Sequence, residues 1–212
     1  MLKHNIQAVA LSFLLCVYGS CADAQDIITV AVASSFYPQA MQYSKQFEAK
    51  HHVQVRLVAG STGRLFNQIK QGAPFDIFIA ADTQYATRLM GKQAIIAHAY
   101  LGLKMGHKLV SNIHRLLHDD IKHIAMPNPQ VAPFGKAAQS LLTQHKIWQA
   151  IKPKLVYAQH AMQADMMVSQ GLVDAGFVAT TNKSMALAEL SYQAVLLSHK
   201  PAAQRYFSEL KP

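Results

Sequence analysis

Two pairs of hydroxyl residues stand where this chain could best hold a small anion. Ser34 and Ser35 follow the apolar run ITVAVA and precede a helix opened by Pro38. Ser61 and Thr62, with Gly63 behind them, stand between VRLVAG and the helical pattern RLFNQI. The start of a helix leaves backbone N–H groups unpaired and carries the positive end of the helix dipole. Two such turns facing one cleft, with short hydroxyls added, make a neutral trap for an anion that needs no Lys, Arg or metal. Ser and Thr also cap helices for structural reasons alone, and each turn taken by itself admits that reading.

Other constellations carry less chemistry. His114 and His118, followed by Asp119, Asp120 and His123, have the i, i+4 spacing of a metal pair. On a surface helix or loop the same pattern is a solvated face, and no metal site is expected. Asp76 and Asp82 flank an apolar strand, and six residues of strand span roughly 17–20 Å. That is too far for concerted acid–base work, so both are read as caps of turns or helices. AMQADMM fits the core face of a helix better than a copper site. No Ser lies in a nucleophile elbow, and both cysteines, Cys16 and Cys21, fall among the first 24 residues. Without a nucleophile and its base, no enzyme is expected.

The first 24 residues read as an export signal. Lys3 and His4 precede an apolar stretch from about Ala8 to Val17, and Ala22-Asp23-Ala24 suits cleavage before Gln25. Lipid attachment at Cys21 is the rival reading, with Tyr18 a poor fit to it. Cleavage would leave a chain without cysteine, held by its core alone in an oxidising compartment. Hydrophobic content of 51% permits such a core. The formal charge of +9 would suit nucleic acid, but the Lys and Arg residues are scattered and none are adjacent. An exported chain meets no nucleic acid, so that partner is excluded, and the charge at most aids anion encounter in a salt-screened way.

The elements that position the hydroxyl turns alternate along the chain. Strands are predicted at Ile28–Val32, Val53–Val58 and Phe75–Ala80, and helices at 38–50, 63–71 and 83–92. Met41 and Phe47 are placed on the inner face of the first helix. This βαβαβ order implies a parallel sheet covered on both faces, whose ligands sit beyond the carboxyl ends of the strands. A crossover strand is predicted at Lys104–Val110. Further strands follow at Ile121–Ala125, Leu155–Tyr157 and Ala175–Val178, with helices at 135–150 and 161–170. Gln193–Leu197 reads as a return strand and 201–210 as a last helix packing on the first lobe. The expected architecture is α/β with two lobes joined by two strand crossings. Residues 25–104 with 193–212 form lobe 1, and 105–192 form lobe 2.

Three ordered blocks make the comparison specific. These are GSTGRLFNQIKQGAPFDIFIAAD (60–82), IAMPNPQVAPFGKAAQSLL (124–142) and LVYAQHAMQADMMVSQGLVDAGFVA (155–179). The chain resembles the periplasmic molybdate/tungstate-binding proteins that serve ABC importers, over nearly all its length after residue 26. The resemblance implies a monomeric solute-binding protein that holds the oxyanion between its lobes and delivers it to an ABC permease, without a cofactor. It implies hydroxyl ligands at Ser35 and Thr62, with Ser34 and Ser61 beside them. It implies backbone N–H donors at Phe134 and Val178, and a phenol ligand at Tyr192. Thr62 stands where Ser is more usual, and Phe134 where Tyr is common.

Donors alone suit a dianion such as molybdate or tungstate. A protonated phosphate would need an acceptor, and none of these turns carries Asp or Glu. Sulfate differs from molybdate mainly in size. Compared with the family, the segment from Ala179 to Tyr192 is short and a further helical tail is missing. A repurposed member that binds another oxyanion such as sulfate, or acts as an interaction module, is the alternative.

Overall fold

The computed structural model describes residues 26–210. The export signal, with Cys16 and Cys21, lies outside the described residues. The chain opens with β1 (Ile27–Ala33), which passes through a 3-10 turn (Ser34–Phe36) into α1 (Tyr37–His51). Next come β2 (Gln54–Gly60), α2 (Thr62–Lys70), β3 (Ile77–Ala80) and the single-turn α3 (Thr83–Ala86). The long β4 (Lys92–Met105) folds back as β5 (Lys108–Val110). Then follow β6 (Ile124–Pro127), α4 (Pro133–Gln144), α5 (Trp148–Ile151), β7 (Leu155–Ala158) and α6 (Ala161–Ser169). The chain finishes with β8 (Ala175–Thr180), β9 (Ala188–Leu196) and α7 (Pro201–Glu209).

Among the described residues the strands form one sheet in the order β2-β1-β3-β9-β4-β8-β6-β7, with β5 beside β4. The pairs β2-β1 and β1-β3 are parallel, as are β8-β6 and β6-β7. Between these two parallel groups run β9 and β4, antiparallel to each other and to their outer neighbours β3 and β8. The result is the α/β, two-lobed arrangement, with one parallel group in each lobe. A continuous core follows the sheet, from Ile28 and Val30 through Leu101 and Leu103 to Ile124 and Phe134.

Several predicted boundaries move. Met41 is 40% exposed, while Ala40, Ser44 and Phe47 form the buried stripe of α1. Met41 and Phe47 are six residues apart, about 120° around a helix of 3.6 residues per turn, so they cannot share a face. The helix expected over 83–92 lasts one turn. The Thr87 hydroxyl donates to the carbonyls of Thr83 and Gln84, a local bond that competes with helix continuation, and β4 begins at Lys92. The crossover strand expected at Lys104–Val110 is instead the end of β4 plus the hairpin partner β5. The return strand starts five residues earlier than expected, at Ala188, because β4 supplies a partner over that length. The helix expected over 135–150 is two helices, broken where Lys146 takes a left-handed φ of 57°. On α6, Ala161, Ala164 and Val168 form the buried face and Met167 packs against it, so the run AMQADMM does supply the core face of its helix, with Met166 turned outward and half-exposed.

The last helix packs on the first, as its placement on lobe 1 requires. Tyr206 is fully buried, its hydroxyl 2.9 Å from Ser44 Oγ, and burial pushes its phenol up to about 12. At the far end Glu209 accepts from Lys50 at 3.1 Å and pairs with His51 at 2.9 Å.

On the opposite side, α4 begins in contact with β6. A Cβ built on Gly135 would lie 1.9 Å from the Pro127 carbonyl oxygen. Gly135→Ala should therefore push the start of α4 off the sheet and destabilise the fold by about 1–3 kcal/mol, read as a lower urea midpoint. An unchanged midpoint would mean that this helix start is only loosely seated.

Candidate functional site

Four helix starts converge on one small space. Each follows a parallel strand at its carboxyl end, where such sheets place their ligands. From lobe 1 come Ser34 and Ser35, after β1, and Ser61 and Thr62, after β2. From lobe 2 come Ala132, Pro133 and Phe134, at the start of α4, and His160 and Ala161, at the start of α6. Ser61 is the N-cap of α2 in extended conformation, and Pro133 supplies a first helical residue that has no N–H to satisfy. The space measures about 10 Å3, the room of about one water molecule.

The hydroxyls differ in what they have left to offer. Thr62 Oγ1 accepts from the Ala81 N–H at 3.1 Å, so its own proton is free to be donated. Ser61 is 4% exposed, and its Oγ has no hydrogen-bond partner. A buried polar atom left in that state costs about 1–3 kcal/mol. Among the residues lining the space none is Asp, Glu, Lys or Arg.

His160 is the one titratable group in the wall. It caps α6, its Nδ1 accepting from the Gln163 N–H at 3.1 Å. That bond assigns the neutral tautomer with the proton on Nε2. Burial lowers the His160 pKa below its ordinary value, and the Arg64 charge lowers it further. Protonation would also turn Nδ1 into a donor facing a donor.

The hydroxyl and backbone positions expected to bind do not all meet here. Ser34, Ser35, Ser61, Thr62 and Phe134 line the space together. Val178 does not. It lies within β8, opposite Gly102 of β4, and a residue held in the middle of a ladder is not a helix start. Tyr192 sits behind Ser35 in the middle of β9, opposite Ala97, with its ring 4.6 Å from that of Phe36. Burial pushes its phenol up to about 12, against the pull of a hydrogen bond with Ser35. It does not line the space itself, and Ser35 stands between the two. On its other side it opens on a polar hollow of about 260 Å3 with Gln39, His98 and Thr180.

His160 and Ala161 were missed, although the signal was present. The turn between the strand LVYA and the helix beginning AMQAD has the same setting as the two Ser turns. It carries a possible cap at His160 with Gln163 three residues on.

The remaining candidates lie apart. His114 stands in a 3-10 turn (Ile113–Leu117) with its ring 5.4 Å from that of His145, and Asp120 pairs with Arg115. Among the described residues no group of three His, Cys, Asp or Glu could hold a metal. Asp82 caps α3 through the Tyr85 N–H at 3.0 Å, and burial raises its pKa. Asp76 accepts from the Thr29 N–H at 2.8 Å and pairs with Lys200 at 3.1 Å. A hollow of about 580 Å3 lies between β9, the start of β4 and α7. No set of helix starts converges there.

The His160 geometry sets a pH dependence. A His whose pKa is depressed on folding takes up its proton more readily when unfolded. Stability then falls as pH drops through and below the ordinary His value of about 6.5. His160→Asn keeps an N-cap acceptor and removes the titration. Its melting temperature should fall less between pH 7 and pH 5 than that of the wild type. Equal falls would mean that His160 does not titrate differently in the two states.

Residues 28–207 match the family of bacterial extracellular solute-binding proteins. The chain is 31% identical over 169 residues to the molybdate-binding protein ModA of Azotobacter vinelandii, covering 76% of this chain and 67% of that one. It is 28% identical over 202 residues to a putative ABC transporter substrate-binding lipoprotein, YvgL, of Bacillus subtilis, covering 85% of this chain and 75% of that one. The fold superimposes on the solved periplasmic molybdate-binding protein of Azotobacter vinelandii with a TM-score of 0.76 at 26% identity, over 87% of this chain and 93% of that one. With a family match running through both lobes and all four helix starts of the site, the chain belongs to the bacterial extracellular solute-binding proteins.

Proposed function

We propose that this protein captures molybdate or tungstate outside the cytoplasm and delivers it to an ABC permease. The observation that carries the reading is Ser61 Oγ, buried without a partner in a wall of donors. A tetrahedral dianion has only acceptors to offer, and it would satisfy that hydroxyl together with the proton of Thr62 and the N–H groups at the helix starts. Ser35, backed by Tyr192, is the donor from the first turn. Phe134 and Ala161 are the backbone donors from lobe 2, and Ala161 takes the place expected of Val178.

The absence of a lining carboxylate supports selection against hydrogen phosphate, whose proton would find no strong acceptor. The molybdate-binding names of the relatives support the choice of ligand. Neither cofactor nor catalysis enters this reading, since Nδ1 of His160 is committed to Gln163 and activates no hydroxyl. The expected export signal and the family both support a location outside the cytoplasm, free or tethered. The tightness of the space favours sulfate as the second reading.

Calorimetry of the purified protein with molybdate, tungstate, sulfate and phosphate tests the choice. The expected order is molybdate and tungstate first, sulfate weaker and phosphate last. Molybdate at about 100 times its dissociation constant should stabilise the fold by about 2.7 kcal/mol, read in a melting curve. An unmoved curve in all four anions would remove the oxyanion function.

Ser61→Ala has a two-sided signature. A hydrogen bond to a charged acceptor is worth about 1.5–3 kcal/mol, so molybdate affinity should fall by roughly tenfold or more. Without anion the same variant should be at least as stable as the wild type, because it removes a buried atom with no partner. Lower stability without anion, with binding intact, would make Ser61 an ordinary structural cap.

A further inference from the structure

The two lobes meet beside the site through backbone as well as side chains. The Gly63 N–H, in the first turn of α2, donates to the Val131 carbonyl in the loop before α4 at 2.8 Å. A Cβ built on Gly63 would lie 2.9 Å from that oxygen, 3.0 Å from Val131 Cα and 2.8 Å from the Tyr85 hydroxyl. No side chain fits there while the lobes stand as they are. Two flanking bonds are of another kind. Arg64 donates to Gln159 at 3.0 Å and Lys136 to Gln84 at 2.8 Å, each between long exposed side chains that yield. The backbone at Gly63 and Val131 does not.

This contact adjoins the site on both sides. Thr62, just before Gly63, lines the lobe 1 wall, and Ala132, just after Val131, lines the lobe 2 wall. The spacing at the contact is therefore passed to the spacing of the donors one residue away. We propose that Gly63 against Val131 is the stop that sets how closely the two walls approach, and that Gly63 thereby determines which size of oxyanion is retained. The proposal rests on the oxyanion reading and adds to it the residue that fixes the size limit.

The test is Gly63→Ala. Ala favours a helix more than Gly does, so the variant should fold, which circular dichroism and melting without anion check first. The added methyl should hold the walls further apart, and the smaller anion should lose more contacts than the larger one. The ratio of the sulfate to the molybdate dissociation constant should rise by roughly tenfold, the range that one methylene commands in a fitted pocket. Lys136→Ala loosens the lobe contact without adding a spacer and should leave that ratio unchanged.

The described residues contain no cysteine, so Lys70→Cys and Gln144→Cys give one spin-label pair across the lobes. With molybdate bound, the label distance should be longer in the Gly63→Ala background than without it. An unchanged ratio together with an unchanged distance would overturn the proposal. If the otherwise native protein binds neither anion, the oxyanion reading and the size role fall together. The stop itself is then judged by the label distance alone, where equal distances with and without Gly63→Ala overturn it.

Discussion

The pairing of β4 with β9 is the constraint on which the rest of the molecule depends. Either parallel group could bury its faces under its own helices, but neither alone would place four helix starts around one point. The two central strands run antiparallel to each other and to both outer neighbours, so they carry the chain from one lobe to the other and back. Their length lets one strand pair serve both lobes, with a shift of register between Ile95 and Ala97. Lys92–Leu101 of β4 pairs with β9 while Tyr100–Lys104 pairs with β8, and Gln193–Leu196 of β9 also pairs with β3. The carboxyl ends of the parallel strands thereby face a common space.

What fills that space follows from an imbalance of donors. Helix starts bring N–H groups that their own helices cannot use. The neighbouring side chains spend most of the available acceptors on structure: Thr62 Oγ1 accepts from Ala81, and His160 Nδ1 from Gln163. Their remaining protons and the unpartnered Ser61 hydroxyl face inward with no carboxylate among them. A site of this composition attracts an anion without carrying a formal charge of its own, so the net charge of +9 plays no direct part in it. Placing the donors on two lobes makes binding and lobe approach one event. The rigid contact of Gly63 with Val131 then limits how far that approach can go.

Much of this was legible from short-range pattern. The alternation of apolar strands and amphipathic helices reported the parallel groups, because a strand and a helix each need only local periodicity to be recognised. The hydroxyl turns were visible as Ser and Thr between a strand and a helix start, and the family blocks joined them to Phe134. The errors fell where pairing at long range overrode local preference. The residues after α3 include the helix-formers Arg88, Leu89 and Met90, yet they form a turn, and β4 begins at Lys92 where β9, some hundred positions along the chain, supplies a partner. Met41 looked inward by type alone and is turned outward by the phase set by Phe47.

The sequence by itself determined the class of the molecule and the chemistry of its site, since residue types at helix starts decide whether donors or acceptors are presented. Only the tertiary structure decided which helix starts meet. It brought His160 and Ala161 to the wall and left Val178 inside a ladder. It set Tyr192 behind Ser35 rather than on the space itself, and it left Ser61 Oγ without a partner. The physical reason is that a donor is fixed by its residue and its place in a helix, whereas the direction in which it points is fixed by strands distant in sequence whose pairing no local pattern records.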